Sequence, residues 1–110
     1  MATEVIVTAD FEAWWDCLGI EEQKSVAVVV AKLEERGPTL PFPYSSGITG
    51  STKLRELRVQ HAGKPYRILY AFDPKCNAIL LLGGTILRRR WLNQLNFLTR
   101  YLQIQAAFVL

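Results

Sequence analysis

Histidine and cysteine are scarce in this chain, and so is acid beyond residue 36. One histidine and two cysteines, Cys17 and Cys76, occur in 110 residues. With no CxxC spacing, they leave too few ligands for a zinc site and too few pairs for a disulfide scaffold. No metal and no cofactor are expected, and the thiols read as buried or indifferent. No apolar run reaches the roughly 18 residues of a membrane-spanning helix. The start, MATEVIVTAD, lacks the cationic opening of a secretory signal, so a cytoplasmic protein with no membrane partner is expected. Internal repeats and low-complexity tracts are also missing. What is present is a core: 50% of the residues are hydrophobic, three of them tryptophan. This composition argues against disorder, and the length fits a single domain over residues 1–110.

The shortage of acid is local. Residues 1–36 hold eight acids against three bases, a local charge of −5, whereas residues 37–110 hold ten bases against Glu56 and Asp73 alone, a local charge of +8. The net +3 therefore hides a polarised molecule whose basic part suits a polyanion. Lys53, Arg55, Arg58, Lys64 and Arg67 fall within fifteen positions, with Glu56 the one acid among them.

Hydrophobic periodicity places these charges on elements. Glu4 to Ala9 is short and β-branched and reads as a strand. Asp10 is the expected N-cap of a helix whose Phe11, Trp14, Trp15 and Leu18 share a stripe. A second helix is predicted over Ile20 to Arg36, with Glu21 and Glu22 in its first turn and Gly37-Pro38 ending it, so the two helices form an antiparallel hairpin. Residues 37–50, with three prolines and three glycines, read as loop. The period then drops to two in Glu56 to His61 and Tyr66 to Phe72. A turn centred between Ala62 and Gly63 pairs Val59 with Tyr66 and sets Arg58 directly across from Arg67, a placement that costs stability unless an anion visits. After a turn at Asp73 to Asn77, the apolar Ala78 to Leu82 is expected to be a central strand. Trp91, Leu95, Leu98 and Leu102 fit a final helix.

The chain resembles the RelE/ParE toxin superfamily, within it the phage-derived HigB-type branch. The resemblance rests on Phe11, Trp14 and Trp15 of FEAWW, on Glu21-Glu22-Gln23 and on Gly37-Pro38. It continues through Lys53-Leu54-Arg55-Glu56-Leu57-Arg58, Gln60-His61-Ala62-Gly63, Tyr66-Arg67 and Ala78 to Leu82 with Gly83-Gly84. It covers roughly residues 4–84. From residue 85 the chain departs: the lysine-containing turn typical of this branch is absent, Arg88-Arg89-Arg90-Trp91 follows, and the tail ends in AAFVL. The expected fold is α+β and RelE-like: an N-terminal strand and helix hairpin packed on a small, mainly antiparallel sheet, with a C-terminal helix.

The resemblance implies the toxin of a type II toxin–antitoxin system that cuts mRNA on the translating ribosome, without a metal, and is held by a cognate antitoxin that could carry a helix-turn-helix. In such cleavage the 2′-hydroxyl of the RNA attacks the adjacent phosphate, and preplaced guanidinium groups stabilise the added negative charge. Arg58 and Arg67 are the expected clamp, against the alternative of two solvated strand arginines. His61, the one side chain of a type that ordinarily titrates near neutrality, is the formal general base or else a solvated turn residue. Lys53, Arg55, Lys64 and Arg88, Arg89 and Arg90 are candidates to hold the RNA backbone, or form the wet edge of a sheet. At least one of Trp14 and Trp15 is expected to pack on the sheet rather than stack bases. Two other readings stay open: a non-catalytic, ParE-like inhibitor of a topoisomerase, and an inactive remnant that only binds antitoxin.

Overall fold

The computed structural model describes residues 3–48 and 53–85. Arg88, Arg89 and Arg90, the expected final helix and the greasy tail lie outside the described residues. Strand β1, Val5–Val7, leads into helix α1, Ala9–Asp16. The N-cap of α1 is Thr8 rather than the expected Asp10. The Thr8 hydroxyl accepts from Phe11 N at 3.1 Å and donates to Leu81 O at 2.7 Å, so it caps the helix and ties its start to the sheet. Asp10 instead sits in the first turn, where its charge suits the helix dipole.

Helix α2 runs over Ile20–Arg36, the predicted span. Its first turn is closed by Glu22, whose Oε1 accepts from Gly19 N at 2.9 Å. A 3-10 turn follows at Gly37–Thr39. Within the stretch expected to be all loop lies a short strand β2, Ser45–Gly47, paired antiparallel to the next strand. Strands β3, Leu54–His61, and β4, Lys64–Phe72, each begin two residues before their predicted starts, and β5, Ala78–Thr85, runs on through both glycines.

Among the described residues the sheet has five strands in the order β1-β5-β4-β3-β2, with β1 parallel to β5 and the other neighbours antiparallel. The hairpin register is the predicted one: His61 pairs with Lys64, Val59 with Tyr66 and Arg58 with Arg67. Ala62 and Gly63 have φ of 50° and 76°, the doubly positive backbone of a primed turn whose twist matches the strands it joins.

Both helices cover one face of the sheet. Phe11, Val26, Val29 and Leu33 from the helices meet Leu57, Val59, Tyr66, Ile68, Tyr70, Ala78 and Leu80 from the strands, all of them buried. Each Val, Leu, Ile and Phe side chain among them contributes about 1.5–3 kcal/mol. Trp14, Trp15 and Leu18 pack against this core as expected. The Trp14 ring lies on Gly83 so closely that a Cβ there would fall 2.1 Å from the ring. The opposite face has a smaller apolar cluster, Leu54 and Leu69 with Ile48, Ala71 and Leu81. The two cysteines are free and exposed rather than buried. No helix among the described residues is long and apolar enough to cross a membrane.

Candidate functional site

The period of two in β3 and β4 divides the cations that the sequence crowds together. Leu57 and Val59, on β3, and Tyr66, Ile68 and Tyr70, on β4, point at the helices. Glu56, Arg58 and Arg67 therefore share the far face. The predicted clamp exists as a directly opposed cross-strand pair, Arg58 with Arg67. Its two members are not equivalent. Arg67 is 6% exposed. Its Nε lies 2.9 Å from Glu56 Oε1, with side chains 8% and 16% exposed, and its Nη1 donates to Tyr66 O at 3.0 Å. Arg58 is half-buried and, among the described residues, has no carboxylate partner. Its guanidinium instead lies over the Phe42 ring, 5.2 Å from the centroid.

Glu56 explains how two like charges coexist here. It stands two residues before Arg58 on the same face and diagonally across from Arg67, within reach of a long side chain. Burial is the main influence that pushes the Arg67 pKa down, followed by the nearby Arg58 charge, while Glu56 works in the opposite direction. The face is left with two guanidinium groups and one carboxylate, a local excess of positive charge. Among the described residues, neither the Nη2 group of Arg67 nor the Arg58 guanidinium is hydrogen-bonded to protein, which leaves donors for an anion.

The other expected site residues are elsewhere. His61 does not join the arginines. Three positions beyond Arg58 on a strand, it points to the helix side, where Nδ1 meets Ser25 Oγ at 2.8 Å and the ring approaches Tyr66, centroids 6.1 Å apart. As a base for a phosphate held by Arg58 and Arg67 it is on the wrong face. Lys64 pairs with His61 at the hairpin end, and its charge helps to depress the Glu22 pKa, so it too belongs to the helix side. Arg55 lies opposite Tyr70, and its Nε donates to Ser45 Oγ at 3.0 Å, with Ser45 also bonded to the Tyr70 hydroxyl. Lys53 is exposed at the start of β3.

Two features were not read from the sequence. Glu22 accepts from the Tyr66 hydroxyl across a separation of 44 residues. This bond first, and the Gly19 backbone bond second, hold the Glu22 carboxyl below its ordinary range, and the same bond raises the Tyr66 phenol. The second feature is the turn before β2. Tyr44 N and Ser45 N both donate to Pro41 O at 3.1 Å, and Tyr44 O accepts from Arg58 N at 2.8 Å. That last bond carries Phe42 to Arg58.

Comparison with known proteins agrees with this architecture. The crystal structure of the intact E. coli RelBE toxin–antitoxin complex contains a chain that superposes with a TM-score of 0.63 at 14% identity, covering 79% of this chain and 100% of that one. This shows that the fold is RelE-like. Residues 13–85 match the family described as "Phage derived protein Gp49-like (DUF891)". Two relatives come from Mycobacterium tuberculosis (strain ATCC 25618 / H37Rv). One, named "Putative toxin HigB3", is 43% identical over 82 residues, 73% of this chain and 70% of its own length. The other, named "Putative toxin HigB2", is 40% identical over 83 residues, 70% of this chain and 41% of its own length. The chain belongs to the phage-derived Gp49-like family, together with relatives named as HigB toxins.

Proposed function

We propose that this chain is the toxin of a type II toxin–antitoxin pair and that it acts as a metal-independent, ribosome-dependent mRNA endonuclease. The observation that carries the reading is the opposed Arg58–Arg67 pair on one sheet face. Relatives named as toxins and a fold shared with a toxin–antitoxin complex support the wider assignment. In the proposed reaction the 2′-oxygen of the RNA attacks phosphorus and the bond to the 5′-oxygen breaks. The 2′-hydroxyl loses its proton, the departing 5′-oxygen gains one, and a cyclic phosphate remains. Arg58 supplies a guanidinium edge to the phosphate as negative charge builds. Arg67, held at Nε by Glu56, presents its remaining N–H groups from a fixed position, so little reorganisation is needed at the reacting moment. The partner is an antitoxin, which would cover the basic face or the exposed sheet edge with acidic and apolar segments and could carry a helix-turn-helix.

Induction of the chain followed by measurement of message length and DNA integrity tests the reading. Shortened messages with intact DNA are expected. Arg58→Ala should lower the cleavage rate about 10²- to 10³-fold, the cost of removing one preplaced charge-stabilising donor, and should affect kcat more than KM. The burial of Arg67 against Glu56 favours one second reading, a non-catalytic inhibitor of a topoisomerase. Broken DNA with full-length messages would select it.

A further inference from the structure

Phe42 is a large ring that the fold holds outward. It is 69% exposed, yet the turn that carries it is tied by the two bonds onto Pro41 O and by the Tyr44–Arg58 backbone bond. Its neighbour Tyr44 is also exposed and is topped by Lys32, whose Nζ lies 4.9 Å from the ring centroid. The turn thus presents two aromatic rings, each beside a cation, Phe42 with Arg58 and Tyr44 with Lys32. Exposed rings interleaved with cations are the combination that holds single-stranded nucleic acid. A ring takes the flat face of any base, and the cations take the backbone. The other exposed apolar side chains, such as Ile20 and Val28, are aliphatic and offer no flat face for a base.

We propose that Phe42 and Arg58 form a nucleotide subsite in which the Phe42 ring stacks a nucleobase of single-stranded RNA while Arg58 contacts its phosphate. The proposal rests on the RNA-cleaving reading and extends it, because it assigns the group that holds the base beside the reactive phosphate. Arg58 stands between Phe42 and Arg67, so the stacked nucleotide flanks the one being cut. A ring already fixed by its turn loses little freedom on binding, which makes it an effective anchor. Stacking alone reads no base edge, so the subsite favours unpaired RNA over duplex without choosing a sequence.

The test is equilibrium binding of the full chain, freed of antitoxin, to a short 2′-O-methyl single-stranded RNA that cannot be cut and carries 2-aminopurine. With wild-type protein the fluorescence is quenched by stacking. Phe42→Ala is expected to abolish the quench and to weaken binding about tenfold or more, whereas Phe42→Trp retains both. Because Phe42 is exposed, its urea midpoint should stay at the wild-type value, which separates lost binding from lost folding. If wild type cuts and binds RNA and Phe42→Ala matches it in quench and affinity, the subsite is overturned while the nuclease reading stands. If wild type binds no RNA yet shortens messages on induction, the subsite alone falls; if it neither binds RNA nor shortens messages, both fall. Unchanged RNA binding with weakened antitoxin pairing in Phe42→Ala would assign the ring to the antitoxin and overturn the proposal.

Discussion

The two faces of the sheet handle the same basic stretch in different ways. On the helix side, Arg55, His61 and Lys64 lie near polar or acidic groups, namely Ser45, Ser25 and Glu22. There the cations and the histidine finish the edges of an apolar core. On the far side, two arginines are set directly opposite each other, with one carboxylate paired to Arg67. One face spreads its cations singly among polar partners, and the other sets two guanidinium groups directly opposite each other. The lesson is that charge density along a strand does not measure charge density on a surface, because alternate residues leave in opposite directions.

The largest expected effect separates the two arginines. Arg67→Ala leaves the Glu56 carboxylate without its partner and should cost about 4 kcal/mol in urea unfolding. Replacing both members, Arg67→Met with Glu56→Leu, should restore most of that stability without restoring cleavage. Arg58→Ala should cost less than about 1 kcal/mol, since it removes one of two opposed like charges. Equal losses for the two single variants would show that the inequality between the arginines is not real.

On the helix face, Leu57→Ala should cost about 3 kcal/mol, because Leu57 is fully buried beneath the helices. Cleavage per folded molecule should be unchanged, and a specific loss of rate would mean that the two faces are coupled. Gly83→Ala should cost about 2 kcal/mol through overpacking, since the added methyl meets the Trp14 ring. A smaller residue at position 14 should recover part of the loss.

The smallest effect concerns pH. The folded carboxyl of Glu22 is depressed below its ordinary 4.5, chiefly by the Tyr66 hydroxyl. A depressed carboxyl adds stability that is present above the unfolded pKa and lost as pH falls through the folded one. Tyr66→Phe should therefore flatten the decline in stability below about pH 4.5. Asp73, lowered mainly by the Asn77 backbone N–H, acts in the same acidic window in both proteins. The informative quantity is the difference between their unfolding midpoints as pH is lowered. Parallel curves would remove the Glu22–Tyr66 bond from the acid response.

How far the sequence could be read depended on how local the deciding interactions are. The β3–β4 register followed from a two-residue turn and alternating side chains, all within about twenty positions. The span of α2 followed from its own stripe and its Gly-Pro stop. Strand β2 escaped because Ser45, Ser46 and Gly47 have no strand character of their own, and pairing with Leu57, Glu56 and Arg55 makes them a strand. The last strand was expected over Ala78 to Leu82, yet β5 continues through the two glycines, where Gly83 leaves the room that Trp14 needs. His61 was the formal general base on its chemistry alone, as the one imidazole in the chain, and side-chain type does not say which face of β3 carries it.

Periodicity and turn chemistry thus determined the order of strands and helices, the β3–β4 hairpin and the opposition of Arg58 to Arg67, all consequences of short-range backbone geometry. Tertiary structure decided which charges remain available. Glu56 reached Arg67 across two strands, α2 claimed His61 and Tyr66, and the turn before β2 delivered Phe42 to Arg58. Those choices depend on desolvation and on contacts between distant segments, and neither exists until the sheet and its helices have assembled.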